Sequence, residues 1–325
     1  MILAGVASAV MACAAEPEAV TSASTVKLPP KDKFKLVVLA GQSNMAGRGK
    51  IDPDNNKPHP RVLMLNKDGN WVPCVDPVHF DVKGSGVGPG KTFGEALADS
   101  DPSITVGLVP CAVGATPLTV WEPGKAFQKG KTVWHPYDDM VARVTRAKKD
   151  GTLAAILWHQ GESDCMKRGG YLYQMRFPVL VDRMRRDLGA EGIPLIVGGL
   201  HTKTCAGWFG KILADAQKTT CETLYGPGKY VPGKEWPLES DNIHYTGDAQ
   251  REFAKLYFAA YQEVAGLLAK DPNYYKDAAE KNPPRVRDNC VIPKDQMKSV
   301  PAELPEKIEK YVFPKGRPKL DGEKK

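Results

Sequence analysis

The stretch that decides the fold is Lys35–Gly49, KLVVLAGQSNMAGRG, in which an apolar run stops abruptly at Gly41-Gln42-Ser43-Asn44-Met45. Residues 36–40 have the length and β-branched content of a strand covered on both faces, the pattern of a parallel sheet. A polar turn after such a strand is, taken alone, an ordinary loop reaching solvent. Ser43 becomes a candidate nucleophile only through what the rest of the chain supplies.

Working outward, further strand-like runs occur at 61–65, 104–109, 153–158 and 194–198. Helical patterns fit 91–99, 137–149, 171–188, 208–221 and 247–267. This alternation predicts an α/β protein. The last helix is the clearest, with Phe253, Leu256, Ala260, Val264 and Leu267 at helical spacing and Thr246 placed to cap its start. Pro178 should kink its helix or begin it. From 271 onward the chain carries eight prolines among mixed charges with little apolar periodicity. Residues 271–325 therefore read as a Pro/Lys-rich extension that wraps the domain or hangs free. At 325 residues and 42% hydrophobic, the chain can bury the core of one large domain with such an appendage.

The 45 lysines and arginines are scattered among 38 acids, for a net charge of +7. No basic stripe interleaved with aromatics appears, which argues against a nucleic-acid partner. Residues 1–15 form a short apolar stretch ending in small residues, with Ala12-Cys13-Ala14 as a cleavage-like site. It lacks a positive n-region and is too short to span a membrane. It reads as a signal peptide, giving a periplasmic or secreted protein, with lipidation of Cys13 as a weaker alternative. The seven cysteines show no paired CxxC or Cys/His spacing, so no metal site is expected.

Ser85-GVGP-Gly90-Lys91-Thr92 nearly spells a nucleotide-binding loop. Ser85 replaces the first glycine, Pro89 removes a backbone donor and no strand precedes it. It is read instead as the start of a helix.

A nucleophilic serine needs a base, and the base needs a group that orients it. Of the six histidines, His244 stands out in Ser240-Asp241-Asn242-Ile243-His244-Tyr245, just before the last helix. Three-residue spacing within one turn lets the Asp241 carboxylate reach back to imidazole Nδ1. Two more strands end in polar turns: 104–113 runs into Gly114-Ala115-Thr116, and 153–158 into His159-Gln160-Gly161-Glu162-Ser163-Asp164. If these strands are parallel neighbours, all the turns gather at their carboxyl ends, where open α/β sheets bind ligands.

The blocks GQSNMAGRG, GVGPGKTF, GLVPCAVGAT, WHQGESD and DNIHYTGDAQ, in this order over residues 34–268, resemble SGNH/GDSL hydrolases. The branch is that of the sialate O-acetylesterase domain and carbohydrate esterase family 6. The resemblance implies a three-layer α/β/α, flavodoxin-like fold with a mainly parallel central sheet. It also implies metal- and cofactor-free removal of O-acetyl groups from a carbohydrate. By block, Ser43 matches the family nucleophile, Gly114 the oxyanion glycine, and Asp241 and His244 the acid and base. The oxyanion would be held by the N–H groups of Ser43 and Gly114. Where many members carry Gly-x-Asn-Asp this chain has Gly161-Glu162-Ser163-Asp164, so Gln160 is the candidate third donor. Glu162 stands as a supporting or alternative triad acid. Gln42, Asn44 and Trp121 are candidate substrate contacts, and Trp208 is a second aromatic that could stack on a sugar. Two other readings remain at this point, a lipase or thioesterase and a catalytically inactive carbohydrate-binding protein.

Overall fold

The computed structural model describes residues 26–166, 170–281, 292 and 294–318. The signal-like residues 1–15, with Cys13, lie outside these. Seven strands form the main sheet: β1 (Phe34–Gly41), β2 (Val62–Leu65), β3 (Trp71–Pro73), β4 (Thr105–Pro110), β7 (Thr152–His159), β8 (Leu195–Gly198) and β9 (Gly228–Val231). Their spatial order is β3-β2-β4-β1-β7-β8-β9. Every pairing is parallel except β2 with the edge strand β3. A separate hairpin joins β5 (Phe127–Lys129) to β6 (Thr132–Trp134).

β1 shows why the sheet is sandwiched. Its side chains alternate between two cores, Leu36, Val38 and Ala40 on one face, Val37 and Leu39 on the other, all with no exposed surface. The first face is covered by the helices Pro136–Ala147 (α3), Gly170–Leu188 (α5) and Trp208–Thr219 (α6). The second is covered by Pro89–Ser100 (α2) and Gly247–Lys270 (α7). The result is a three-layer α/β/α arrangement. Each buried aliphatic side chain contributes roughly 2 kcal/mol relative to exposure.

From β1 the chain runs to one side through β2, β3 and β4, then crosses to the other through β7, β8 and β9. The carboxyl end of β1 is thus the topological switch point, the natural crevice of such a sheet.

Several elements differ from the sequence reading. Pro178 lies inside α5. The missing backbone donor costs the helix roughly 3 kcal/mol, and the buried stripe Tyr173, Phe177, Leu180, Val181, Met184 and Leu188 offsets it. On α7 the buried face is Phe253, Tyr257, Ala260 and Val264, with Leu256 only partly covered. The segment 85–90 is no phosphate loop: Val87 bridges to Gly49, and Gly88-Pro89 opens α2. β3 and the β5–β6 hairpin have three residues per strand, too few to show a period, and β9 reads Gly-Lys-Tyr-Val, with no apolar run to mark it.

The extension is packed where it is described. Helices Lys294–Met297 (α9) and Glu306–Val312 (α10) follow Tyr274–Lys281 (α8). Ile292, Met297, Val300, Ile308, Tyr311 and Val312 bury themselves against Leu172, Met175 and Leu224. Cys74, Cys111, Cys165, Cys205 and Cys221 are buried free thiols.

Candidate active site

Ser43 opens the four-residue helix Ser43–Ala46 (α1), directly after β1. Gln42 is extended, and its N–H donates to the His159 carbonyl at the end of β7, 2.8 Å. Two glycines make the turn possible. Gly41 has φ +129°, and a Cβ there would overlap the His159 carbonyl. Gly47 ends α1 at φ +93°, and its N–H caps the Ser43 carbonyl at 2.8 Å.

The histidine comes from the loop before α7. Asp241 Oδ1 accepts from the N–H groups of Ile243 (2.9 Å) and His244 (3.0 Å), closing a tight turn. Asn242 sits in the left-handed region at φ +57°. The Glu239 N–H donates to the His244 carbonyl (2.7 Å), and Thr246 caps α7 by accepting from Ala249 N–H (3.4 Å).

This loop places His244 Nε2 2.8 Å from Ser43 Oγ and His244 Nδ1 2.5 Å from Asp241 Oδ2. Burial pushes the Asp241 carboxyl up, but the hydrogen bonds from the His244 N–H, the imidazole and the Ile243 N–H outweigh it. The net shift is below the ordinary aspartate value. Asp241 is an ionised acceptor poised to fix the imidazole tautomer. The serine is 5% exposed and the His244 side chain 20%, so solvent reaches the pair from the histidine side.

Glu162 is elsewhere. It begins Glu162–Met166 (α4), and its Oε1 accepts from Asn44 Nδ2 at 2.7 Å, both side chains buried. It makes no hydrogen bond to His244; its neighbouring imidazole is that of His159, at 3.7 Å. Burial pushes His159 down and keeps that ring neutral, and its Nδ1 pairs with the Tyr257 hydroxyl at 2.7 Å.

Five other expectations are corrected. Asn44 is no substrate contact: only 1% exposed, it also bonds the Ile243 carbonyl, the Tyr245 N–H (3.1 Å) and Gln250 Nε2 (3.3 Å). Gln42 is 2% exposed, and its Oε1 accepts from Gln160, Gly161 and Ser163. Gln160 is fully buried, its amide donating to Asp164 Oδ2 (2.6 Å) and the Thr116 carbonyl (3.0 Å), so it is no oxyanion donor. Trp121 cannot stack on a sugar: it has no exposed surface, packs edge-on against Trp158 and donates to Thr116 Oγ1. The Trp208 side chain lies outside the described residues.

The fifth is Gly114, whose N–H donates to Asp81 Oδ2 at 2.8 Å. The same oxygen takes the Arg48 guanidinium at 2.5 Å and lies 3.9 Å from Lys129 Nζ. Arg48 lies in the GQSNMAGRG block but was given no role, and Asp81 and Lys129 carried no sequence signal. They lie in loops and a three-residue strand far apart in sequence, and only the fold brings them together.

An open cleft lined by Lys50, Asp52, Glu239, Thr246, Asp248 and Arg251 borders the histidine loop. Among the described residues no cluster of three or more His, Cys, Asp or Glu side chains is arranged to hold a metal ion. Likewise, no described helix is long and apolar enough to cross a membrane.

Residues 33–263 match the family described as carbohydrate esterase, sialic acid-specific acetylesterase. A probable carbohydrate esterase of Arabidopsis thaliana is 33% identical over 261 residues, covering 72% of this chain and 91% of the relative. The crystal structure of that Arabidopsis protein superposes with a TM-score of 0.62 at 31% identity, covering 72% of this chain and 99% of that one. Two more distant structures share the fold. NanS has a TM-score of 0.57 at 17% identity, covering 75% of this chain and all of its own. A carbohydrate acetylesterase from Xanthomonas citri has 0.54 at 16%, covering 72% and 57%. The chain belongs to the sialic acid-specific acetylesterase family of carbohydrate esterases.

Proposed function

We propose that this protein is a serine esterase that removes O-acetyl groups from a carbohydrate, sialic acid or an acetylated xylan-type polysaccharide, through an acetyl-Ser43 intermediate. The observation that carries the reading is the continuous relay from Ser43 Oγ to His244 Nε2 (2.8 Å) and from His244 Nδ1 to Asp241 (2.5 Å). Neutral His244 takes the Ser43 proton as Oγ attacks the acetyl carbonyl carbon. Ionised Asp241 stabilises the imidazolium that forms. The Ser43 N–H, in the first turn of α1 where no intrahelical acceptor exists, is the donor for the oxyanion. Collapse of the tetrahedral adduct passes the His244 proton to the departing sugar oxygen. Water then adds to the acetyl-serine, giving its proton to His244, and acetate leaves as Ser43 recovers its own. The signal-like residues 1–15 support an exported enzyme meeting an extracellular sugar.

Acetate release from O-acetylated sialic acid, acetylated xylan and 4-nitrophenyl esters of rising chain length tests the reading. Acetyl esters should be preferred. A rate climbing from acetate to octanoate would contradict it.

A further inference from the structure

Outside the relay, a buried carboxylate is linked to the turn that carries the nucleophile. The Asp81 side chain is 1% exposed, and two of the contacts of its Oδ2 lead back to the Ser43 turn. Its Oδ2 accepts from Arg48 Nη2 at 2.5 Å, while Arg48 Nη1 donates to the Gly47 carbonyl at 2.6 Å. Gly47 in turn caps the Ser43 carbonyl. The same Oδ2 accepts the Gly114 N–H at 2.8 Å, and the neighbouring Val113 N–H donates to the Gly41 carbonyl at 3.0 Å. Oδ1 accepts from the Ser85 hydroxyl at 2.9 Å. One carboxylate therefore ties together the two backbone segments that flank Ser43.

The loop it holds is under tension. Ala115, next to Gly114, is a non-glycine residue at φ +66°, a conformation that persists only when its surroundings enforce it. A Cβ at 114 would overlap Arg48 Nη2 and lie 3.0 Å from Asp81 Oδ2 and Lys129 Nζ, so a side chain there would displace the ends of the clamp. Lys129 adds a second restraint, donating to the Gly114 carbonyl at 3.3 Å. Burial pushes the Asp81 carboxyl up, yet the Arg48 charge and hydrogen bond and the Gly114 N–H bring it below its ordinary value. The clamp is ionised.

We infer that Asp81 is a positioning residue of this esterase site: its carboxylate locks the Gly114 loop to the Ser43 turn, and the Gly114 N–H serves that lock instead of the oxyanion. The inference rests on the esterase reading above. It departs from the family-based expectation for Gly114.

Three variants are compared with the wild-type chain on 4-nitrophenyl acetate, together with the exchange protection of the Gly114 amide. Asp81→Asn preserves an oxygen able to accept from both Arg48 and Gly114, with Ser85 turning to accept from the new amide. It should keep at least about a tenth of kcat, because the geometry survives. Asp81→Leu removes the acceptor and should lower kcat about 100-fold with little change in KM, the scale of loss for a small misplacement of reacting groups. The Gly114 amide should be protected in the wild type and in Asp81→Asn. A kcat at or above the wild-type value in Asp81→Leu would overturn the inference, since it would mean that the lock is not needed or that a freed Gly114 N–H serves the oxyanion. Equal large losses in both Asp81 variants would overturn it too, by making charge rather than acceptance the requirement. Should Asp81→Leu fail to fold, Asp81→Asn and the amide exchange still decide. Ser43→Ala is the control: if it matches the wild type, the esterase reading fails, while the amide exchange still tests the clamp.

Discussion

Asn44 Nδ2 donates to Glu162 Oε1 at 2.7 Å in a buried contact, while His244 takes its carboxylate from Asp241. The two acids near the site thus have separate jobs. Asp241→Asn should lower kcat by as much as ~10⁴, because the imidazole loses both its tautomer and its counter-charge. Glu162→Gln should cost only ~10–100-fold, by analogy with groups that orient a ligand through another residue. Steady-state kinetics on both folded variants checks this, and a larger loss in Glu162→Gln would reassign the orienting acid.

Asn44 joins three segments, since it also holds the Tyr245 N–H and Gln250. Asn44→Leu should destabilise the protein by on the order of 3 kcal/mol, because several buried polar groups lose their partner at once. Urea unfolding measures it. Wild-type stability would show that these bonds are not coupled to folding.

His79 is buried against the Leu39 carbonyl, and burial lowers its pKa from 6.5 to about 4. Between those values the unfolded chain binds the proton and the folded one does not, so stability falls as the pH drops through this window. The loss attributable to His79 is at most on the order of 3 kcal/mol. Asp76, raised to about 6 by burial, acts in the opposite direction but equally in any His79 variant. Comparing unfolding of the wild type and His79→Gln at pH 7 and 4.5 isolates the effect. The variant should lose less stability on acidification; parallel losses would exclude the histidine.

Ile308, on α10, is wholly buried between the extension and the domain. Ile308→Ala should cost about 2–4 kcal/mol, the usual range for emptying a buried aliphatic site. A change below about 0.5 kcal/mol in chemical denaturation would mean that the extension is a loose attachment.

Legibility followed periodicity and local spacing. The strand at 35–40 was readable as an unbroken, β-branched apolar run of strand length, and the helix at 247–267 because its apolar residues repeat at the helical period. Asp241 and His244 were readable because both lie within one turn. Asp81 could not be found that way, because its partners Arg48, Gly114 and Lys129 are 33, 33 and 48 positions away and meet only through sheet topology. Gln42, Asn44 and Gln160 were misassigned for a related reason. An amide in a motif looks the same whether it faces a ligand or holds the turn beneath it. The extension hid its packing because helices of four and seven residues carry too few apolar positions to show a period.

The central claim is that Ser43 is the nucleophile. Its most direct test is acetate release from 4-nitrophenyl acetate and an O-acetylated sialic acid by equal amounts of wild-type and Ser43→Ala protein, with folding checked by circular dichroism. The serine variant should be slower by ~10³-fold or more, since among the described residues no other hydroxyl is hydrogen-bonded to His244. A folded Ser43→Ala protein that keeps more than about 5% of wild-type activity would contradict the account.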